Sequence, residues 1–360
     1  MRALIAVLAA LAMSAAAALA EPMRLPAPAL RAGGDRLTVY STLDAPLARP
    51  LLAAFQAANP GLAIVYEELL AGEIAARVRA ETDAGGRTAD VTFSSAIDLQ
   101  VQLANDGYAR PVRVAGAGVW PRWANWRDTV FALTFEPAVV VWHRPSVPDP
   151  PLTRLALIDW IAAQGPALRG RIGTYDIERS AVGFLYLARD EEHFPDIWAL
   201  IGAMAGAGLQ TWPTSQDILD RVADGRLALG YNILGSYAAE VARLNPDLGV
   251  AALQDYTVAI SRAALVPKAA VRPDLGARLV EWLMSPAGQQ VLAEALRLPA
   301  LSLQIGGPPR GQPLARTLGD PYRPVPLGPG LLAYLDRMTR DRLIGRWRQA
   351  LAQGPSMSGR

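Results

Sequence analysis

Cysteine is absent from all 360 residues, histidine occurs twice and lysine once, at Lys268. The first absence excludes thiol nucleophiles, cysteine-ligated zinc and disulfide bridges. A chain without disulfides must hold itself together by burial, and 51% of these residues are hydrophobic, enough for a large core. At this length two domains are the natural division. Charge of one sign is also missing: the net charge is +2 and the arginines are scattered. With no Lys/Arg block, nucleic-acid motif or basic amphipathic anchor, neither nucleic acid nor an anionic membrane is an expected partner. No G-x-S-x-G elbow, H-E-x-x-H helix or Walker loop occurs. A Ser/His/Asp arrangement would have to recruit His143, which reads as hinge-lining, or His193, which reads as an exposed helix-start residue. The chain is therefore expected not to be an enzyme, and no cofactor is expected.

What is present begins with an export pattern. Arg2 precedes an apolar run from Ala3 to Met13, and small residues end at Ala18-Leu19-Ala20. The run is too short to span a bilayer and its end suits signal peptidase, so residues 1–20 are expected to be a signal peptide cleaved after Ala20, with the mature protein in the periplasm. Residues 21–35, with Pro22, Pro26, Pro28, Gly33 and Gly34, read as a flexible leader.

Order is expected from Arg36. Leu37–Tyr40 reads as a strand, Pro46–Asn59 as a helix with Leu47, Leu51, Leu52 and Phe55 inward, and Leu62–Glu67 as a second strand. Glu73–Thr82 reads as a helix and Asp90–Phe93 as a third strand. This β-α-β-α-β order predicts an α/β fold with an open, largely parallel sheet. In such sheets ligands sit beyond the carboxyl ends of strands. Ser41-Thr42 and Ser94-Ser95 fall at two such ends, where their hydroxyls can meet a ligand or cap the next helix. Trp120, Trp123 and Trp126 can form an aromatic platform or pack at a domain seam. Thr129–Trp142 reads as β-structure, interrupted at Glu136-Pro137, carrying the chain into a second lobe.

The second lobe repeats the pattern. Helices are expected at 155–164, 180–189, 196–206 and 215–224, strands at 171–175 and 227–231, and a further helix opens at Gly235. Tyr256–Ile260 and Ala263–Val266 read as strands returning to the first lobe. Helices 274–284 and 286–296 pack there, and 331–353 reads as one last amphipathic helix before a loose tail. The expected division is 36–137 with 264–353 as lobe 1, and 138–263 as lobe 2.

Five segments together resemble the periplasmic solute-binding proteins of ferric-iron-type ABC transporters. They are Val39-Tyr40-Ser41 with Asn59-Pro60-Gly61; Ala89-Asp90-Val91 with Ser94-Ser95; Gly170–Gly173; Asp224–Gly230; and, most specific, Pro267–Ala270 through Met284–Gln289. The resemblance covers most of 36–300. It implies a periplasmic binding protein type II-like architecture, two α/β lobes joined by crossing strands, with a ligand cleft between them.

Iron-binding members of the family hold Fe(III) on adjacent tyrosines, which would fall near Gly235-Ser236 here. Tyr231 and Tyr237 are six apart and no histidine lies near the first strand, so no metal site is expected, with a ferric iron-binding transport protein as the alternative. Tyr231–Ala238 is more similar to the branch that includes the periplasmic phosphoglycerate transport regulatory protein. That similarity implies a small organic anion, a carboxylate or phosphorylated acid, as ligand. It also implies either an inner-membrane ABC permease or a sensor kinase as partner, the protein itself being a monomer. An anion needs donors at loop starts and helix N-termini. The candidates are Ser41, Thr42, Ser94 and Ser95 in the first lobe, and Thr174, Tyr175, Arg179, Ser180, Tyr231, Asn232, Ser236 and Tyr237 in the second. Arg179 can clamp a carboxylate or phosphate in bidentate fashion, or pair with Asp176 or Glu178.

Overall fold

The computed structural model describes residues 21–28, 35–114, 120–294 and 321–352. The expected signal peptide, its cleavage point and the tail after 352 lie outside these residues.

Two sheets organise the chain. The first begins with β1 (Met23–Leu25), β2 (Arg36–Ser41), β3 (Ala63–Glu68) and β4 (Val91–Ser94). Between and after them run α1 (Ala45–Ala57), α2 (Ala71–Asp83) and α3 (Ile97–Asn105). β5 (Asn125–Trp126), β6 (Val130–Ala132) and β13 (Ala263–Leu265) complete this sheet in the order β1-β3-β2-β4-β13-β6-β5. β2 pairs in parallel with both β3 and β4, as right-handed β-α-β crossovers require. The other pairings in the sheet are antiparallel.

The second sheet is built from β7 (Glu136–His143), β8 (Ile172–Tyr175), β9 (Gln210–Trp212), β10 (Leu229–Leu234), β11 (Leu248–Ala252), β12 (Thr257–Ile260) and β14 (Tyr322–Pro324). Its helices are α4 (Arg154–Gln164), α5 (Ala181–His193), α6 (Ile197–Gly206), α7 (Ser215–Ala223) and α8 (Gly235–Leu244). β7 carries five consecutive buried residues, Ala138 to Trp142, because it is a central strand flanked by β10, β11 and β12. On the first sheet α9 (Pro273–Met284) packs against β4, and α10 (Pro286–Glu294) against α1. The chain passes between the sheets after β6 and again between β12 and β13. There Leu133 N–H donates to the Arg262 carbonyl at 2.9 Å and Arg262 N–H to Thr134 Oγ1 at 2.7 Å, so the two crossings are tied together.

Three expectations change. Part of the leader is an edge strand: β1 pairs with β3, and buried Gln56 donates Nε2 to the carbonyls of Leu25 and Pro26. β12 belongs to the second sheet, so only β13 returns to the first. The last segment is two helices, α11 (Leu332–Leu335) and α12 (Arg337–Ala352), broken at Asp336, whose ψ of 131° is not helical. Nor does that segment belong to the first lobe alone. β14 pairs with β12 and α12 packs on α6, whereas α11 packs on α3. Trp120 and Trp126 are buried in the core rather than displayed as a platform.

Candidate functional site

A cleft of about 800 Å³ lies between the lobes. Its walls follow from the topology, since each loop after a parallel strand emerges at the same sheet edge and opens a helix. The first-lobe wall is Thr42 and Asp44 after β2, residues 68–73 after β3, and Ser95 and Ala96 after β4. The second-lobe wall is Tyr175 and residues 179–182 after β8, residues 213–216 after β9, and Leu234 and Tyr237 at the end of β10. Arg262 joins them from the β12–β13 crossing.

Six helices start on this cleft, with Asp44, Leu70, Ala96, Ser180, Thr214 and Leu234 as the residues before their first turns. Each start carries backbone N–H groups with no intrahelical acceptor and the positive end of a helix dipole. In the second lobe hydroxyls satisfy one of these donors each. Ser180 Oγ accepts from Gly183 N–H at 3.2 Å, and Thr214 Oγ1 from Asp217 N–H at 3.2 Å. In the first lobe carboxylates do so: Glu68 accepts from Ala45 N–H and Glu73 from Leu70 N–H, both at 2.8 Å. The starts at Ser180 and Leu234 thus carry no acid in their first turns, whereas Asp217 sits in the first turn after Thr214 and accepts from its hydroxyl.

Arg262 is the central charge. Its side chain is 1% exposed and lies 3.2 Å from Glu136 Oε1. The Nε–H is not directed at that oxygen and has no hydrogen-bond acceptor, so the pair is Coulombic rather than a closed hydrogen bond. Nη1 reaches Thr42 Oγ1 at 3.4 Å, and the guanidinium lies 5.9 Å from the Tyr237 ring centre. Glu136 is itself engaged, accepting from Ser236 Oγ at 2.6 Å and Thr134 Oγ1 at 2.7 Å. Burial opposes the Arg262 charge most strongly, but Glu136, Tyr237, Tyr66 and Asp44 together outweigh it and its pKa is raised. Burial pushes the phenols of Tyr175 and Tyr237 up to about 12, so both are neutral, and the Tyr175 hydroxyl is engaged with Ser215 Oγ and accepts from Leu234 N–H at 3.2 Å. Arg179 is exposed on the second-lobe wall, and its side chain has no hydrogen-bond or ion-pair partner among the described residues.

Of the residues named from the sequence, Thr42, Ser95, Tyr175, Arg179, Ser180 and Tyr237 line the cleft. The other six lie behind the wall. Ser41 Oγ donates to the Phe93 carbonyl at 2.7 Å, Ser94 Oγ accepts from Ala96 N–H, and Thr174 Oγ1 donates to the Tyr231 carbonyl. Ser236 is held by Glu136. Tyr231 and Asn232 belong to a buried cluster in which Asp190 accepts from Tyr231, Asn232, Tyr256 and Arg154 at 2.6–2.9 Å. They are turned there by an irregularity in β10 between Gly230 and Ile233, where Asn232 takes a φ of 59°. Sequence reasoning missed Arg262, Asp44, Glu68, Glu73 and the start of α7. A signal for Arg262 was present: one cation between two buried strands needs a carboxylate and a reason to be there.

No group of three or more His, Cys, Asp or Glu among the described residues is placed to hold a metal ion. Tyr231 and Tyr237 do not converge, since the Tyr231 hydroxyl is bound to Asp190 and Arg154.

A family model described as bacterial extracellular solute-binding protein matches residues 36–295. The substrate-binding protein of an ABC transporter from Agrobacterium tumefaciens is similar over 92% of this chain and 98% of its own, with 50% identity and a TM-score of 0.86. Iron-bound HitA from Pseudomonas aeruginosa shares the fold at 16% identity, with a TM-score of 0.68 and 88% and 99% of the two chains covered. So does AfuA from Actinobacillus pleuropneumoniae, solved with exogenous fructose-6-phosphate, at 16% identity, a TM-score of 0.69 and the same coverage. No protein of curated function matches the sequence.

Proposed function

The chain belongs to the family of bacterial extracellular solute-binding proteins, and on that premise we propose that its cleft captures a small anionic solute and delivers it to an ABC permease. The observation that carries this reading is the convergence on one cleft of buried Arg262 and the helix starts at Ser180 and Leu234, whose first turns carry no acid. Such starts bind anions through free N–H groups and the helix dipole, and a buried guanidinium adds a charge-assisted fork. The donor set argues against ferric ion, because Tyr231 and Tyr237 do not converge and no group of three or more His, Cys, Asp or Glu among the described residues is placed to hold a metal. That one relative of this fold was solved with a sugar phosphate agrees with an anion site.

Binding is expected to use both walls, so that the closed arrangement is favoured by the ligand. The direct test is native mass spectrometry of the protein purified from the periplasm, followed by release of the bound species. A carboxylate or phosphorylated acid supports the reading, and stoichiometric iron overturns it. Arg179→Ala is the matching variant, because that side chain supports nothing else in the fold. It is expected to weaken binding of a phosphomonoester about tenfold with an unchanged melting temperature. Equal affinity would remove Arg179 from the site.

A further inference from the structure

The cleft is polarised. Arg262 and Arg179 stand at the hinge and on the second-lobe wall, and Asp44, Glu68 and Glu73 on the first-lobe wall. The carboxylates outnumber the guanidinium groups, which an all-anionic ligand would not tolerate next to the first lobe. Helix capping accounts for one oxygen each of Glu68 and Glu73, the Oε2 atoms that accept from Ala45 and Leu70. Their other oxygens accept no hydrogen bond from the described residues. Asp44 precedes α1 but makes no capping bond, and its carboxylate accepts no side-chain hydrogen bond among the described residues. It is near enough to Arg262 and Tyr237 for its charge to act on both.

Buried Arg262, whose Nε–H meets Glu136 without a hydrogen bond and whose guanidinium lines the cleft, marks the same cleft as a ligand site independently of these acids. From this arrangement we infer that the ligand is bipolar. Its anionic group sits at Arg262 and the second-lobe helix starts. The rest of it presents hydrogen-bond donors, hydroxyl or ammonium, to Asp44, Glu68 and Glu73. The inference rests on the anion reading and adds the chemistry of the other end. Carboxylate acceptors reward donors and penalise both apolar groups and further negative charge, so the first-lobe wall selects among anions that the second lobe would hold equally. The volume suits a ligand larger than inorganic phosphate.

Isothermal titration with two matched pairs of phosphomonoesters tests it. Cyclohexyl phosphate and glucose 1-phosphate differ in hydroxyl donors, and ethyl phosphate and O-phosphoethanolamine in an ammonium group. The donor-bearing member of at least one pair is expected to bind about tenfold or more tighter than its partner, and which pair does so separates hydroxyl from ammonium recognition. Asp44→Asn keeps the shape and a good helix-start residue. It is expected to erase most of that advantage without weakening the donor-free esters. Equal affinity within both pairs would overturn the bipolar ligand and leave the anion reading standing. Failure to bind of all four esters, and of the matched carboxylates cyclohexanecarboxylate and gluconate, would overturn both. An unchanged preference in Asp44→Asn with Glu68→Gln and Glu73→Gln added would show that the acids do not meet the ligand, and would also overturn the inference.

Discussion

At the scale of single residues, charge burial separates structural from functional groups. Asp190 is fully buried yet saturated, with four donors around its carboxylate. Asp98, on the first turn of α3, is the opposite case: it is 2% exposed, and its Oδ1 has no partner. Burial raises its pKa from 3.8 to about 6, against the backbone N–H groups of Leu99 and Asp98 and a distant attraction from Arg340. A carboxyl whose folded pKa is raised favours folding only while protonated. Its contribution is complete below pH about 4 and is lost as pH rises through about 6. A shift of about two pH units corresponds to ~3 kcal/mol. Thermal melts should therefore show a decline in stability between pH 4 and 6 that Asp98→Asn flattens. The same decline in the variant would assign it to other groups.

At the scale of elements, the packing of α5 on β8 fixes one wall of the cleft. A Cβ on Gly183 would fall 2.2 Å from Tyr175 Cβ, so only glycine lets the first turn of α5 lie this close to the strand. Gly183→Ala must push back either Tyr175 or the helix start at Ser180. It is expected to cost about 1–3 kcal/mol, read as the urea midpoint, and to weaken phosphomonoester binding, since both displaced groups line the cleft. Full affinity would show that the wall tolerates the shift. The elements with strong apolar periodicity, such as α1 with Leu51, Leu52 and Phe55 and α7 with Ile218, Leu219 and Val222, were legible in the sequence. β9, β11 and β14 were not. They are three to five residues long, only partly buried along most of their length, and owe their pairing to neighbours remote in sequence. The same holds for the cleft. Thr42, Ser95 and Tyr175 were legible because strand ends are marked by a change from apolar to polar residues. The distinction between Tyr231, turned into the Asp190 cluster, and Tyr237, turned into the cleft, depends on an irregularity in β10 that no local pattern announces.

At the scale of the whole molecule, three described connections join the lobes. Two are the crossings around Thr134 and Arg262, bound to each other by backbone and hydroxyl hydrogen bonds. The third is the segment from β14 to α12, which touches α3 of one lobe and α6 of the other and adds Arg342 and Arg346 pairs to Glu191 at 2.6 and 2.7 Å. Those pairs are partly exposed and contribute little, so the apolar contacts of α12, through buried Leu343 and Trp347, hold it in place. Arg262 lies within the crossings and also lines the cleft, so a ligand that engages it acts on the hinge directly. A ligand can move such an equilibrium only by its difference in affinity for the two arrangements. On the proposed closure, contacts from both walls supply that difference. Small-angle scattering is expected to show a smaller radius of gyration with saturating glucose 1-phosphate than without it. At a hundred times the dissociation constant the ligand should also add ~2.7 kcal/mol to stability. Arg262→Lys keeps a cation beside Glu136 but loses the guanidinium fork, and is expected to bind more weakly with a smaller compaction at saturation. Tight binding by the native protein with no change in radius would mean that the lobes are already closed, and that the acidic wall and Arg262 meet the ligand without a hinge movement.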